Sequence, residues 1–572
     1  MRLRSWPSDQ AFALRTSFAI GSRRPENAAV SGVSPCPPGT PAGGDKRGRW
    51  RWLGAAAPLA VVLAASSLWA VLPPRRRPRL PNWKTAARKL LETPTQRRAR
   101  WGVYAYSLTH HKVVFDFHGD ALLTPASNTK LFTLAAAMQL IGPDYRFHTP
   151  VQSTALPDAQ GVVSGDLVLV GKGDPDLSGR ILPYRYPESD KSALLAQNPD
   201  KPIQELADQI KARGVTVVTG NIIGDDSYFS RTRYAPGWAQ DDLLWGYGAA
   251  ISALCVNDNS ILLHVLPGAT VGAPAQITLA PWAAIYTVSN YIRTGPPDSQ
   301  PNINIVRPVD SNHLTLWGSI ALNGKDDWES LGVQKPALFA ARLLKQALQA
   351  RGIAVYGRAE ARHAPLRMGD ETQIQTYPPA PYTLATYTSL PLQDDMQLLA
   401  KISQNQWAEM LLRLLGRLQL NDGSLAAGLQ VRAAFLHQQV GLDPHAFDLY
   451  DGSGLARDNL VQPEAVVQLL TYMDQQPRTA DFRALLPIAA VDGDLHDRFR
   501  GTPSAGRILA KTGYVDHVYA LSGYAITLGG DHLAFSIIVN DDDMKGKEIK
   551  QVMDEIANAM VTGVLTPMPL GG

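Results

Sequence analysis

At 572 residues the chain exceeds what one hydrophobic core serves and is expected to fold as two or more domains. Residues 1–81 hold 13 Lys/Arg against 3 Asp/Glu and the remainder holds 42 against 48, so the basic character belongs to the tail and nucleic-acid binding is excluded. The two cysteines, Cys36 in the tail and Cys255 alone in the body, exclude a disulfide framework and a thiolate metal site.

Residues 1–51, with Pro37-Pro38 and Gly43-Gly44, lack an apolar period and read as a disordered basic leader. Trp52 to Leu72 is an uncharged run of 21 residues, long enough to cross a hydrocarbon layer of about 30 Å. It is either an uncleaved anchor or the apolar part of an export signal, and Ala64-Ala65-Ser66 offers small residues for cleavage. Lys46, Arg47, Arg49 and Arg51 before it balance Arg75, Arg76, Arg77 and Arg79 after it, so local charge does not set an orientation. Residues 73–82 form a linker.

Trp83 to Leu91 has helical spacing. Trp101 to Leu108 and Lys112 to Phe117 read as strands around a turn at His110-His111, whose histidines belong to a solvated tip. From Ser127 an apolar helix runs to Ile141 and stops at Gly142-Pro143. Short strands then dominate residues 148–384, among them 165–170, 220–224 and 303–309, with one helix near Pro336 to Arg351. This block reads as a domain inserted between two parts of another, residues 83–147 and 385–572. In the second part, helices are expected over Gln393 to Leu418 and Pro463 to Met473, a hairpin over Tyr519 to Tyr524 and His532 to Val539, and an amphipathic helix over Lys547 to Val561. Asp541-Asp542-Asp543 reads as a solvated loop between the last strand and that helix; no metal and no cofactor is expected.

Three strings carry chemistry: Ser127-Asn128-Thr129-Lys130, Ser403-Gln404-Asn405 and Lys511-Thr512-Gly513. Residues three apart share a helix face, which sets the Ser127 hydroxyl and the Lys130 amine about 5–6 Å apart at their Cβ atoms. A buried lysine loses its charge readily and can then take the serine proton during attack on an acyl carbon. Leu131, Phe132, Leu134 and Ala135 follow at once and leave Lys130 little solvent face. Ile508 and Leu509 place Lys511 on a strand, where Gly513 would let a substrate backbone lie close. Any one string is weak; the three in this order are specific.

Together they resemble the motifs of penicillin-binding proteins and serine β-lactamases. The chain most closely resembles the D-alanyl-D-alanine carboxypeptidase and endopeptidase family of penicillin-binding protein type 4 (low-molecular-mass class C), over roughly residues 83–562. Ala235-Pro236-Gly237-Trp238 with Asp242, Asp258-Asn259, Asp451-Gly452-Ser453-Gly454-Leu455 with Asp458-Asn459, and Leu486-Pro487 with Asp492-Gly493 look like its further signatures. The resemblance implies an α/β (α+β) fold: a transpeptidase/β-lactamase-like catalytic domain, its antiparallel sheet flanked by helices and split by a large strand-rich insert. It implies Ser127 as nucleophile, Lys130 as base, Ser403 as proton relay to the leaving amine and Asn405 as holder of the substrate amide. Lys511 would attract the terminal carboxylate or steady the second serine, Thr512 would hydrogen-bond that carboxylate, Gly513 and Ser453 would contact substrate, and the N–H groups of Ser127 and Tyr514 would form an oxyanion hole. Asp242 and Tyr247 would bind the amino end of a peptidoglycan stem side chain. Tyr514 stands where relatives often carry serine or threonine.

The implied activity is a penicillin-binding serine DD-peptidase acting on peptidoglycan stem peptides, periplasmic or otherwise extracytoplasmic, membrane-held if residues 52–72 persist. A serine β-lactamase or esterase on the same scaffold and an inactive wall-binding protein are the alternatives. Against the first, no carboxylate stands at the spacing expected for activating a deacylating water; against the second, all three motifs are intact.

Overall fold

Alternation with a period of two builds the central sheet of the protein, which in this computed structural model is described over residues 82–180, 198–281, 285–365 and 377–568. The expectations for residues 1–51 and 52–72, for nearly all of the linker and for Cys36 lie outside these. The sheet takes Arg100–Ser107 and Lys112–Phe117 from the first part of the chain and Ile508–Val515, Val518–Ile526 and His532–Asn540 from the last. Every neighbouring pair is antiparallel, and the order leaves Ile508–Val515 at one edge. On the strand His532–Asn540, Phe535, Ile537 and Val539 enter one core while Ala534 and Ile538 enter the other.

Ten helices are found among the described residues: α1 (Trp83–Leu91), α2 (Thr129–Leu140), α3 (Lys201–Ala212), α4 (Pro336–Ala350), α5 (Leu392–Ile402), α6 (Asn405–Leu420), α7 (Leu425–Gln438), α8 (Pro463–Asp474), α9 (Thr479–Leu485) and α10 (Gly546–Thr562). The first and last, α1 and α10, cover one face of the central sheet. The other face packs on α2 and on α5 to α9. Ten of the twelve residues of α2 are buried, so this helix has no solvent face and Lys130 is drawn inside with it. No helix among the described residues is long and apolar enough to cross a membrane.

Between the two parts, His148–Ser153 and Tyr382–Thr388 pair antiparallel, with Thr388 opposite His148, so the chain leaves and returns at neighbouring points. The second of these strands spans the boundary expected at 384. The main sheet of the segment between the two parts adds Leu167–Val170, Ile222–Asp225 and Ala359–Arg362, the last three mutually parallel, and α3 and α4 close a separate core beneath. Three three-stranded sheets complete it. Helix α3 was not expected, yet Ile203, Leu206, Ala207 and Ile210 recur at helical spacing and are all buried. In the loop before α10, expected to be solvated, Asp541 pairs with Arg100 and Asp543 with Arg98, while Asp542 is buried.

The signatures outside the three strings bond to one another and to α6. Trp407 of α6 donates its indole N–H to Asp258 Oδ1 at 3.0 Å, and Arg180 donates to Asp258 Oδ2 at 3.1 Å. Trp238 donates to Asp451 Oδ2 at 3.1 Å.

Candidate active site

Ser127 sits in a single 3-10 turn, Ala126–Asn128, that leads directly into α2. Ala126 holds a φ of 47°, a left-handed conformation disfavoured for a residue with a Cβ and concentrated at functional sites. Two glycines bring backbone against this turn. A Cβ on Gly454 would stand 1.9 Å from the carbonyl oxygen of Ala126, and one on Gly513 would stand 2.8 Å from that of Pro125. The edge strand and the loop 451–456 therefore clasp the nucleophile from two sides.

Lys130 is fully buried, and its ammonium donates to Ser127 Oγ at 2.9 Å, Asn405 Oδ1 at 2.6 Å and the Ser453 carbonyl at 2.7 Å. Burial, and next the cation of Lys511, hold its pKa well below the ordinary 10.5, although Asp451, Glu409 and Asp494 pull the other way. Lys511 is also fully buried and also lowered by burial, with Asp494 opposing. Two ammonium groups facing each other in a desolvated site cost least when one gives up its proton. Lys130 is the one beside the hydroxyl, where a neutral amine can take the serine proton.

One cleft of about 480 Å³ is lined by Ser127, Ser403, Asn405, Thr512, Gly513 and Tyr514, and also by Asp242 and Tyr247. Three strings separated by hundreds of residues thus converge. Ser403 ends α5 in a left-handed conformation, φ 61°, half-buried in the cleft wall. Asn405 opens α6 and spends its side chain within the protein, accepting from Lys130 and donating to the Tyr247 carbonyl at 3.0 Å. Lys511 donates to Asp494 Oδ2 at 3.2 Å, the Thr512 carbonyl at 3.0 Å and Thr512 Oγ1 at 3.3 Å. Tyr514 is 58% exposed and reaches over the cleft mouth.

One expectation needs correction, and another meets a competitor within the protein. Ser453 is completely buried, its hydroxyl bonded to Asp451 Oδ2 at 3.1 Å, so it does not meet substrate; its carbonyl holds Lys130 instead. Asp242 is buried and already engaged, accepting from Tyr247 Oη at 3.1 Å and from Arg457 at 2.8 Å, so a ligand ammonium would have to compete with a guanidinium.

Three residues that the sequence did not single out support the site. Glu409, fully buried on α6, accepts the N–H groups of Gly452 and Ser453 at 2.7 and 2.9 Å and pairs with Arg413, fixing the loop that carries the Ser453 carbonyl. Asp494 bonds both Lys511 and Thr512. Lys401, two residues before Ser403, binds Asp492 and the Leu486 carbonyl. A glutamate inside an apolar helix, one charge beyond the Asp492-Gly493 signature, was the available signal for the first two. Among the described residues, no group of three or more His, Cys, Asp or Glu side chains is placed to hold a metal ion.

An antiparallel sheet between helical layers, with a buried lysine on a serine hydroxyl and a second lysine on the edge strand, defines a serine acyl-transfer enzyme of the penicillin-binding and β-lactamase class. A sequence profile of the D-Ala-D-Ala carboxypeptidase 3 (S13) family matches residues 84–560, and the chain belongs to that family. It is 32% identical over 461 residues to a D-alanyl-D-alanine carboxypeptidase of Actinomadura sp., covering 79% of each chain. It is 26% identical over 449 residues to the D-alanyl-D-alanine carboxypeptidase DacB of Haemophilus influenzae, covering 77% of this chain and 85% of that one. The crystal structure of penicillin binding protein 4 (dacB) from Haemophilus influenzae superposes with a TM-score of 0.68 at 23% identity, over 83% of this chain and 98% of the other, and shares the fold.

Proposed function

We propose that the protein is a serine DD-peptidase that hydrolyses D-alanyl-D-alanine ends, cross-links, or both, in peptidoglycan, and that β-lactams acylate the same serine. The observation that carries this reading is the 2.9 Å contact between Lys130 Nζ and Ser127 Oγ in a site where burial and Lys511 favour the neutral amine. Neutral Lys130 takes the hydroxyl proton as Ser127 Oγ attacks the carbonyl carbon of the penultimate D-alanine. The oxyanion is received by the N–H groups of Ser127 and Tyr514, a contribution of about 3 kcal/mol per donor. As the tetrahedral intermediate collapses, the C–N bond breaks, Ser403 gives its proton to the departing amine and takes in exchange the one that Lys130 removed from Ser127, which leaves Lys130 neutral. Water then attacks the acyl-enzyme, Lys130 accepts its proton, and as the ester C–O bond breaks Lys130 returns that proton to Ser127 Oγ.

The substrate backbone adds along the edge strand beyond Ala510, since Ile508 and Ala510 already bond to Ala489 and Pro487, and Gly513 lets that strand lie close to the Ser127 turn. A β-lactam follows the same first step, but its ring amide stays tethered after opening, so nothing leaves to make room for water. Glu409 and Asp451, the buried carboxylates near Lys130, are held by Arg413 and backbone N–H groups, which favours the peptidase over a β-lactamase needing a free general base. Asp242 and Tyr247 remain the recognition point for a stem side chain, with Arg457 competing for the carboxylate.

The segment 148–384 acts as the inserted domain. Peptidoglycan lies outside the cytoplasmic membrane, so the enzyme works there, exported or anchored through residues 52–72. Release of D-alanine from a stem pentapeptide by the wild type and not by Ser127→Ala supports the reading. Equal release by both proteins would end it.

A further inference from the structure

The two groups expected to grip the substrate's terminal carboxylate already hold one. Thr512 Oγ1 donates to Asp494 Oδ2 at 2.8 Å, and Lys511 Nζ donates to the same oxygen at 3.2 Å. An ammonium has three N–H donors. Those of Lys511 go to Asp494, the Thr512 carbonyl and Thr512 Oγ1, while the Thr512 proton goes to Asp494. Lys511 and Thr512 therefore keep no side-chain donor in reserve for an incoming carboxylate, and the other cations lining this cleft beside Asp494 are Arg498 and Lys550. This side of the cleft presents acceptor capacity on Asp494, which lines the cleft and whose side chain is 33% exposed.

Asp494 is seated by a built turn. A Cβ on Gly493 would stand 2.6 Å from the Lys401 carbonyl oxygen, so the chain is pressed against the end of α5 just before Ser403. Asp492, on the other flank of that glycine, accepts from Lys401 Nζ at 2.8 and 2.7 Å and from the Ile488 N–H at 2.8 Å. The turn bearing Asp494 is thus fixed to the wall that bears Ser403.

We propose that Asp494 is an internal carboxylate seated in the place of the substrate's own, so that the site accepts leaving groups ending in a neutral carboxamide about as well as those ending in a free carboxylate. This inference rests on the peptidase reading and deepens it. A carboxylate must displace Asp494 from Lys511 and Thr512 or lie beside a like charge, whereas a carboxamide donates an N–H to Asp494 and leaves the pair with Lys511 intact. Asp494 is a specificity-determining residue on the leaving-group side.

The test uses the full chain and two stem pentapeptides that differ only in a terminal carboxylate or carboxamide, with kcat and KM measured for wild type, Asp494→Asn and Asp494→Ala. The wild type is expected to favour neither peptide by more than about threefold in kcat/KM. Both substitutions should raise the preference for the carboxylate by about tenfold or more, the change falling in KM. A wild type that already favours the carboxylate about 100-fold, or variants that lose kcat equally on both peptides, would overturn the proposal; the second result would make Asp494 only a positioning residue for Lys511. Labelling of Ser127 by benzylpenicillin, followed in parallel, separates the two levels: no label on the wild type removes the peptidase reading and this inference with it, while a labelled enzyme without the shift removes the inference alone.

Discussion

Gly454 and Gly530 have nearly the same backbone, φ +86° and +85°, but opposite surroundings, and the pair isolates what the loop 451–456 does for the nucleophile. At Gly454 an added Cβ would stand 1.9 Å from the Ala126 carbonyl oxygen, 2.4 Å from its carbon and 3.0 Å from the Ser127 nitrogen; at Gly530 it meets nothing within 4 Å. Either alanine substitution costs about 1–2 kcal/mol for the left-handed conformation. Only Gly454→Ala must also drive the loop and the Ser127 turn apart by roughly 1 Å, a misplacement that costs on the order of 100-fold in rate. Acylation by a fluorescent penicillin, followed with time beside thermal unfolding, reads both effects. Gly454→Ala should acylate about 100-fold more slowly and Gly530→Ala at the wild-type rate, with both unfolding at lower temperature. Equal acylation by the two variants would refute the claim that the loop clasps the nucleophile.

Because attack needs Lys130 neutral, acylation is lost as pH falls through its pKa and is complete above it. Burial and Lys511 place that limb well below the ordinary lysine value of 10.5, and Lys511→Met should move it to higher pH by removing the neighbouring cation. Stopped-flow acylation across pH checks both; a limb at 10.5 in the wild type would count against Lys130 as the base. Ser453→Ala should cost about 1 kcal/mol of stability through the lost bond to Asp451 while KM for a stem peptide stays unchanged, measured by denaturation and steady-state kinetics. A raised KM at unchanged stability would restore Ser453 as a substrate contact.

Periodicity made the central sheet and its flanking helices legible, since strands alternate between two cores and α10 presents a clear stripe. Helix α7 escaped because its alanines, glycine and leucines spread around the axis without a dominant face. Within the site, the three strings were readable because serine, lysine and amide chemistry demands those residue types at short spacing. What long-range folding decides was not readable: that Asn405 would serve Lys130, that Arg457 would reach Asp242, and that Asp494 would close on Lys511. Each joins residues far apart in the chain or on separate turns, where no local period speaks. The role of Ser453 went astray for the same reason, because a polar residue in a signature can shape a site from beneath as readily as it can touch a ligand.

The most direct test of the account is the mass of the peptide that carries Ser127 after incubation with benzylpenicillin and digestion. The account predicts one penicilloyl group on Ser127, persisting for minutes or longer and absent from Lys130→Met treated alike. A group on another residue, or rapid penicillin turnover that leaves no adduct, would contradict it.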